Sequence, residues 1–349
     1  MKKRVLVGMS GGVDSSAAVW LLQEQGYEVE GATLILTDGN ACGSSKDVDD
    51  ARLTAARLGI PHRVVDKREL FQNTVIRDFA NVYASGDTPN PCIVCNRELK
   101  FGALLREALA EGFDAVATGH YARIERGENG RYLLKKALDA TKDQTYVLYT
   151  LTQEQLAHIV FPLGDRVKAE LRQTAAERGL ETAHKPDSQD ICFIKDGDYA
   201  AFLEQKMGVE RCVGDYLDMD GNVIGQHTGM IGYTIGQRKG LGVAFGEPRF
   251  VVSKDADRNT VTLGKSEDLF RHTLIADRVN WIAIEALTEP ITVTAKTRYS
   301  QKEAEAVVEP LDNGRVKVTF TDAQRAITTG QAVVFYDGDT VVGGGTIIE

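Results

Sequence analysis

Hydrophobic and polar positions follow two different rhythms along this chain. In the first half, short apolar β-branched runs alternate with stretches whose apolar residues recur at helical spacing. Arg4 to Met9 predicts a strand, Asp14 to Gln25 a helix that stops at Gly26, and Val29 to Leu36 a second strand. Asp47 to Leu58 predicts an amphipathic helix closed by Gly59 with Pro61 just beyond, then His62 to Val65 a strand and Glu69 to Tyr83 a helix. Glu98 to Glu111, ended by Gly112, and Phe113 to Thr118 add one more helix and one more strand. Glycine just past a helix suits the left-handed conformation that ends it. Repeated β-α-β units imply a parallel sheet with helices on both faces, and ligands of such sheets bind at the carboxyl ends of the strands. The turns after Met9, Leu36 and Thr118 are therefore the places to look for a site.

From about Gly197 the rhythm changes. Helical spacing fades, glycines multiply, and short alternating runs take over, such as Arg249 to Val252, Thr260 to Leu263, Ile291 to Thr294, Val316 to Phe320 and Val333 to Phe335. This texture predicts small β-barrels. The expected architecture is an N-terminal doubly wound α/β domain over residues 1–197, a central β-rich domain over 198–268 and a C-terminal β-barrel over 269–349. A break near Ser266 to Thr273 separates the two β modules. No internal repeat or low-complexity tract interrupts the pattern.

Composition narrows the function classes. Of 349 residues, 43% are hydrophobic and 26% charged, which fits a globular protein and excludes a disordered one. No apolar run approaches the roughly 20 residues that span a bilayer. The apolar run behind Met1-Lys2-Lys3-Arg4 is too short for a signal-peptide core, so a cytoplasmic chain without membrane attachment is expected. The net charge of −9 divides into −4 before Tyr199 and −5 from there on. Neither part attracts nucleic acid globally, so such a partner would need local clusters, for which Lys135-Lys136 with Lys142, and Arg238-Lys239, are the candidates. Five cysteines are too few for a disulfide scaffold and point instead to catalysis, metal binding or packing.

The most specific motif is Ser10-Gly11-Gly12-Val13-Asp14-Ser15-Ser16, between the first strand and the first helix. Two glycines let the backbone curl so that amide N–H groups converge on one anion, and the helix dipole reinforces them. Ser10, Ser15 and Ser16 add hydroxyls, and Asp14 is placed to cap the helix or help hold magnesium. The string lacks the Gly-x-x-x-x-Gly-Lys-Ser/Thr of a Walker loop. It resembles the pyrophosphate loop of the N-type ATP pyrophosphatases, a resemblance that implies adenylation of a substrate oxygen rather than phosphoryl transfer.

The second motif is Cys92-Ile93-Val94-Cys95, read as a loop behind Thr88-Pro89-Asn90-Pro91 and just ahead of a helix. A cysteine at a helix N-terminus has its thiolate favoured. Cys192 lies where the polar run Lys185-Pro186-Asp187-Ser188-Gln189-Asp190 meets the apolar Phe193-Ile194. Asp187 and Asp190 would raise its pKa, and a nearby cation such as Lys185 would have to offset them. Cys42 and Cys212 read as bystanders. No second C-x-x-C or spaced histidine pair completes a zinc site, and the thioredoxin context is missing. Sulfur chemistry on an adenylated substrate, or a cluster held by three cysteines, stays open.

Taken together, these motifs resemble the bacterial tRNA-specific 2-thiouridylases, and the resemblance covers nearly the whole chain. It rests on the pyrophosphate loop, Thr88-Pro89-Asn90-Pro91, Cys95-Asn96, Ala117 to Arg123, Lys142-Asp143-Gln144, Ser188 to Phe193 and Gly236 to Gly242. It implies an adenine nucleotide α-hydrolase-like domain followed by two β domains. It further implies that Gly8, Met9, Ser10, Gly11, Gly12, Val13, Asp14, Ser15, Leu34 and Gly119 hold ATP with Mg2+. Asn90, Pro91 and Cys92 would face the target base, while His120, Lys142, Asp143, Gln144, Arg298, Tyr299 and Gln331 would contact tRNA. Cys192 would carry sulfur as a persulfide and Cys95 would be its catalytic partner. The implied partners are the Lys, Glu and Gln tRNAs and a cysteine desulfurase or sulfur-relay protein as donor.

One position departs from the family. Where its better-described members have aspartate, this chain has Cys92, so Cys92, Cys95 and Cys192 together are the ligands expected of a possible [4Fe-4S] cluster. Two other function classes compete with thiolation: another adenylating enzyme on the same loop, such as a ligase or an amidotransferase's synthetase half, and a non-enzymatic tRNA-binding or iron–sulfur carrier module.

Overall fold

The computed structural model describes residues 2–38, 43–185, 191–194, 198–209, 211–243 and 246–349. Strand β1 (Arg4–Gly8) is fully apolar in its middle and lies at the heart of a parallel sheet, flanked by β2 (Glu28–Ile35) and β4 (Ala115–Thr118), with β3 (His62–Asp66) outside β2 and the short strand Ile159–Val160 outside β4. The order reverses direction at β1, and this switch point is where an open α/β sheet leaves a crevice. The register sets Gly8 level with Ala32 on one side and Thr118 on the other. The turns leaving β1 and β4 therefore face each other.

Two helices pack beside that crevice. Helix α1 (Val13–Glu24) carries a buried apolar face including Trp20 and Leu22. Helix α2 (Ser45–Leu58) opens on a capping box in which Ser44 Oγ accepts from the Asp47 N–H at 3.2 Å and Asp47 Oδ2 accepts from the Ser44 N–H at 3.2 Å. It ends at Gly59 with φ of +67°. The expected helix from Glu69 is longer, running over 68–84 with a π-helical stretch at Gln72–Ile76. The helix expected from Glu98 begins seven residues earlier, at Pro91, and contains a second π-helical stretch, Asn96–Ala103. The Cys92–Cys95 pair thus lies in the first turns of a helix and not in the loop before it. Proline at the first helical position, behind an extended Asn90, nucleates that turn.

The second half is β-rich, except that a helix, Tyr199–Met207, follows the expected change near Gly197 and precedes the first strand at Gly214. A four-stranded sheet of Phe250–Asp255, Thr260–Gly264, Gly214–Leu217 and Val223–His227 closes over Tyr216, Tyr233 and Leu263. Beyond it, Phe270–Trp281 pairs with both Val316–Arg325 and Thr340–Ile347, which closes an antiparallel barrel.

The barrel is fused to the first half. The hairpin Arg123–Arg126 and Tyr132–Lys135 extends the barrel sheet through Lys135 opposite Thr340. One continuous core joins Phe101, Leu104 and Tyr146 to Ile282, Val334 and Val341. Lys135 and Lys136, the expected basic cluster, are consumed at this seam. Lys135 pairs with Glu125 and Asp339 at 3.1 and 3.3 Å, and Lys136 pairs with Glu303 at 2.6 Å while lying over the Tyr336 ring. Among the described residues, no helix is long and apolar enough to cross a membrane.

Tyr146 is buried at the seam, and its hydroxyl donates to the Ala332 carbonyl at 2.8 Å. Tyr146→Phe leaves that carbonyl without its donor, so equilibrium urea unfolding should show a loss of about 1–2 kcal/mol with an unchanged slope. An unaffected midpoint would show that the seam does not report on global stability.

Candidate active site

The turn after β1 is built for an anion. Gly11 adopts φ of +69° and lies so close to α2 that a Cβ there would fall 2.7 Å from the Asp47 carbonyl oxygen. Gly12 is the N-cap of α1, extended and without a side chain to satisfy the first-turn N–H groups, which leaves them available to a ligand. Ser15 Oγ accepts from the Ser10 N–H at 3.2 Å and donates to the Gly12 carbonyl at 3.0 Å. Ser16 departs from expectation: it is buried, donates to the same carbonyl at 2.9 Å and lies 3.3 Å from Thr182 Oγ1, so it faces the core. From the β4 side, Gly119 packs directly on α1, where a Cβ would lie 2.6 Å from the Asp14 carbonyl carbon. Leu34, half-buried near the end of β2, packs against the apolar core.

Asp14 does not cap α1. Its Oδ1 accepts from the Tyr121 hydroxyl and its Oδ2 pairs with the Lys168 ammonium, both at 2.8 Å. Lys168 is only 7% exposed, and a buried ammonium needs such a partner. Sequence reasoning missed Lys168, because its partner lies 154 positions away and nothing local marks it. With both carboxylate oxygens engaged, and no group of three His, Cys, Asp or Glu placed for a metal among the described residues, the loop offers no magnesium cage. On the opposite side, Lys185 donates to the Gly11 carbonyl at 2.9 Å and pairs with Asp50. Its charge is thus held at the phosphate loop. Asp187 and Asp190 lie outside the described residues.

The cysteines occupy one neighbourhood at different depths. Cys92 is exposed in the first turn of the helix 91–110, while Cys95 is buried in a cluster with Leu36, Phe79, Leu99, Phe193 and Ile194. Phe193 anchors that cluster, with its ring edge-on to Phe71 at 5.5 Å and to Phe79 at 5.3 Å. Cys192, adjacent to this anchor, is exposed. Cys42 lies outside the described residues and Cys212 is exposed in the central domain. The expected cluster ligands do not fit a metal in this arrangement, since among the described residues Cys92, Cys95 and Cys192 form no common donor group.

Several residues expected to touch tRNA make bonds inside the protein. His120 is buried, its Nδ1 2.7 Å from Thr118 Oγ1, with its ring near Phe101 and Phe161. Burial, aided by Lys100, holds its pKa well below the usual imidazole value. Asp143 accepts from the Ala137 N–H at 3.0 Å and Thr145 Oγ1 at 2.6 Å, and burial pushes its carboxyl upward. Gln144 Oε1 accepts from the Tyr121 N–H at 2.9 Å, and Lys142 is half-buried beside them. Arg298 donates to the Ile235 and Ala326 carbonyls and to Thr328 Oγ1 at 3.0, 2.7 and 2.6 Å. Tyr299 is exposed and donates to the Asp143 carbonyl at 3.2 Å. Gln331 donates to the Thr88 and Pro89 carbonyls, just ahead of Asn90 and Pro91. Arg298, Tyr299 and Gln331 thus belong to the seams that join the barrel to the rest of the protein.

Known proteins share this arrangement of domains. Three family models match in succession: a tRNA methyl transferase HUP domain over residues 3–196, a tRNA methyl transferase PRC-barrel domain over 200–265 and an aminomethyltransferase beta-barrel domain over 271–347. The tRNA-specific 2-thiouridylase MnmA of Acetivibrio thermocellus is 52% identical over 99% of this chain and 99% of its own. That of Clostridioides difficile is 50% identical over 99% of this chain and 98% of its own. The chain belongs to the tRNA-specific 2-thiouridylase family. A solved structure, U34-tRNA thiolase NcsA from Methanococcus maripaludis with its [4Fe-4S] cluster, overlaps 54% of this chain and 60% of its own at 18% identity and a TM-score of 0.37.

The buried His120 gives a pH signature. The unfolded chain takes up a proton below roughly pH 6.5, whereas folded His120 stays neutral, so the unfolded state binds more protons and stability falls as pH drops below that value. His120→Gln should flatten this loss in unfolding free energy between about pH 7.5 and 5.5. Equal slopes in both proteins would contradict a neutral, buried imidazole.

Proposed function

We propose that this chain is an ATP-dependent tRNA 2-thiouridylase acting on the anticodon wobble uridine. The observation that carries the reading is the convergence, at the carboxyl end of one parallel sheet, of an uncapped phosphate loop and the helix start bearing Cys92 and Cys95, with Cys192 anchored to the same core through Phe193. A methyl-transfer reading, suggested by two of the matched domains' names, has no use for a loop that receives pyrophosphate.

The chemistry is dictated by the poor leaving ability of a uracil oxygen. Its O2 attacks the α-phosphorus of ATP, the O2–P bond forms, the bond to the β-phosphate bridge breaks, and pyrophosphate leaves toward the first-turn N–H groups of α1 and the loop hydroxyls. The oxygen is now part of an AMP leaving group. The terminal sulfur of a persulfide on Cys192 attacks C2 and AMP departs, leaving the base joined to Cys192 through a disulfide. Cys95 then attacks the Cys192 sulfur, expelling 2-thiouridine and forming a Cys95–Cys192 disulfide that an external thiol reduces. Cys95 is buried, so this last step also requires it to be uncovered. Release of hydrosulfide from the persulfide by Cys95 is the alternative delivery. The base must leave its stack to reach the site, which an anticodon loop allows at small cost.

Within this reading, Asn90, Pro91 and Cys92 border the base, and Gly8 to Ser15, Leu34 and Gly119 hold ATP with its magnesium. The Lys, Glu and Gln tRNAs are the assigned substrates, a cysteine desulfurase or sulfur-relay protein is the donor, and the reaction takes place in the cytoplasm. The assigned domains are 1–197, 198–268 and 269–349.

Incubation with ATP, magnesium, a sulfur donor and tRNA, followed by nucleoside mass analysis, should yield 2-thiouridine and one AMP per thiolation. Cys95→Ser and Cys192→Ser should each reduce product to background, as expected for nucleophiles. Full activity in the double variant, or sulfur at another base, would overturn the reading.

A further inference from the structure

We infer that the barrel loop 328–331 is a positioning clamp for the target-base loop, with Gln331 as its principal side chain. This inference rests on the thiolation reading and assigns Gln331 a role other than direct tRNA contact.

Three bonds hold the loop. The Gln331 amide nitrogen donates to the Thr88 carbonyl at 2.9 Å and to the Pro89 carbonyl at 3.0 Å. Both partners are carbonyl acceptors, so the nitrogen and not the oxygen of the amide faces them, and both amide hydrogens are engaged. In return, the Thr88 N–H donates to the Thr329 carbonyl at 3.0 Å. Between them Gly330 has φ of +84°, and a Cβ there would lie 2.8 and 2.9 Å from Thr88 backbone atoms. Only glycine permits two backbones to approach this closely.

The segment leading from Thr88 and Pro89 into the helix is stiff. Asn90 is the extended N-cap and Pro91 the first residue of the helix that presents Cys92. Prolines on both sides of Asn90 restrict its approach. Fixing the two preceding carbonyls therefore fixes where Asn90 and Cys92 sit, and it does so from the barrel, more than 240 positions away in sequence. The clamp itself is braced by Arg298, whose guanidinium joins Thr328 at the start of the loop, and Ala326 two residues ahead of it, to Ile235 of the central domain. Both β domains thus bear on the orientation of the base-facing helix start.

The test uses Gln331→Met, which keeps the length and removes both donors, and Gln331→Glu, which turns a carboxylate toward two carbonyls. Both should lower kcat for thiolation about tenfold or more, as small misplacements of reacting groups do, with KM for tRNA within about twofold. Iodoacetamide labelling without tRNA, read by peptide mass, supplies a measure independent of turnover. Cys92 labelling should change several-fold in both variants while Cys192 labelling does not. A raised KM with unchanged kcat would assign Gln331 to tRNA contact and overturn the clamp. Unchanged Cys92 labelling in folded variants would overturn it as well, even if the wild type proved not to thiolate tRNA.

Discussion

The site depends on how closely backbone can approach backbone at the end of β1. Gly11 rests against α2 and Gly119 against the start of α1, at distances where any Cβ would collide with main-chain atoms. These contacts bring the turn leaving β4 onto the first turn of α1 while leaving its N–H groups uncapped. An anion is what such a surface lacks, and a triphosphate is the anion that the family's reaction consumes. The surrounding charges are arranged to suit it. Asp14 in that first turn would repel a phosphate on its own, and Lys168 and Tyr121 occupy both of its oxygens. Lys185 performs the same office for Asp50 on the other flank.

The sulfur chemistry is attached to this frame through packing instead of polar contacts. Phe193 seats the Cys192 segment against the helix over 68–84, in the cluster that also buries Cys95. That division suits a reaction in which a nucleotide stays fixed while sulfur moves. It also places the cysteines at different depths, with Cys92 and Cys192 exposed and Cys95 buried.

Local features are legible in the sequence. The phosphate loop, the order of strands and helices up to Thr118 and the β-rich second half show in short windows, because turn glycines and hydrophobic spacing act over a few residues, whereas the helices Lys168–Glu177 and Tyr199–Met207 do not. Pro91 reads as part of a stiff loop, yet proline favours the first helical position, and so Cys92 and Cys95 lie inside the helix that the spacing starts at Glu98. Long-range pairings are invisible. Lys135 and Lys136 look like a basic patch until Asp339 and Glu303 are folded against them, and Lys168 looks like a surface lysine until Asp14 meets it. Gln331, Tyr299 and Arg298 stand out as tRNA contacts by resemblance, yet their bonds in the folded chain are with its own backbone and side chains.

In the proposed reaction one site first adenylates a tRNA oxygen and only then delivers sulfur. The most direct measurement is a single-turnover reaction of Cys192→Ser with ATP labelled at the α-phosphorus and excess unmodified tRNA. Adenylation ahead of sulfur delivery predicts tRNA-dependent pyrophosphate release and label retained on the tRNA, with no 2-thiouridine. Pyrophosphate release that ignores tRNA, or its loss in this variant despite intact ATP and tRNA binding, would contradict that order.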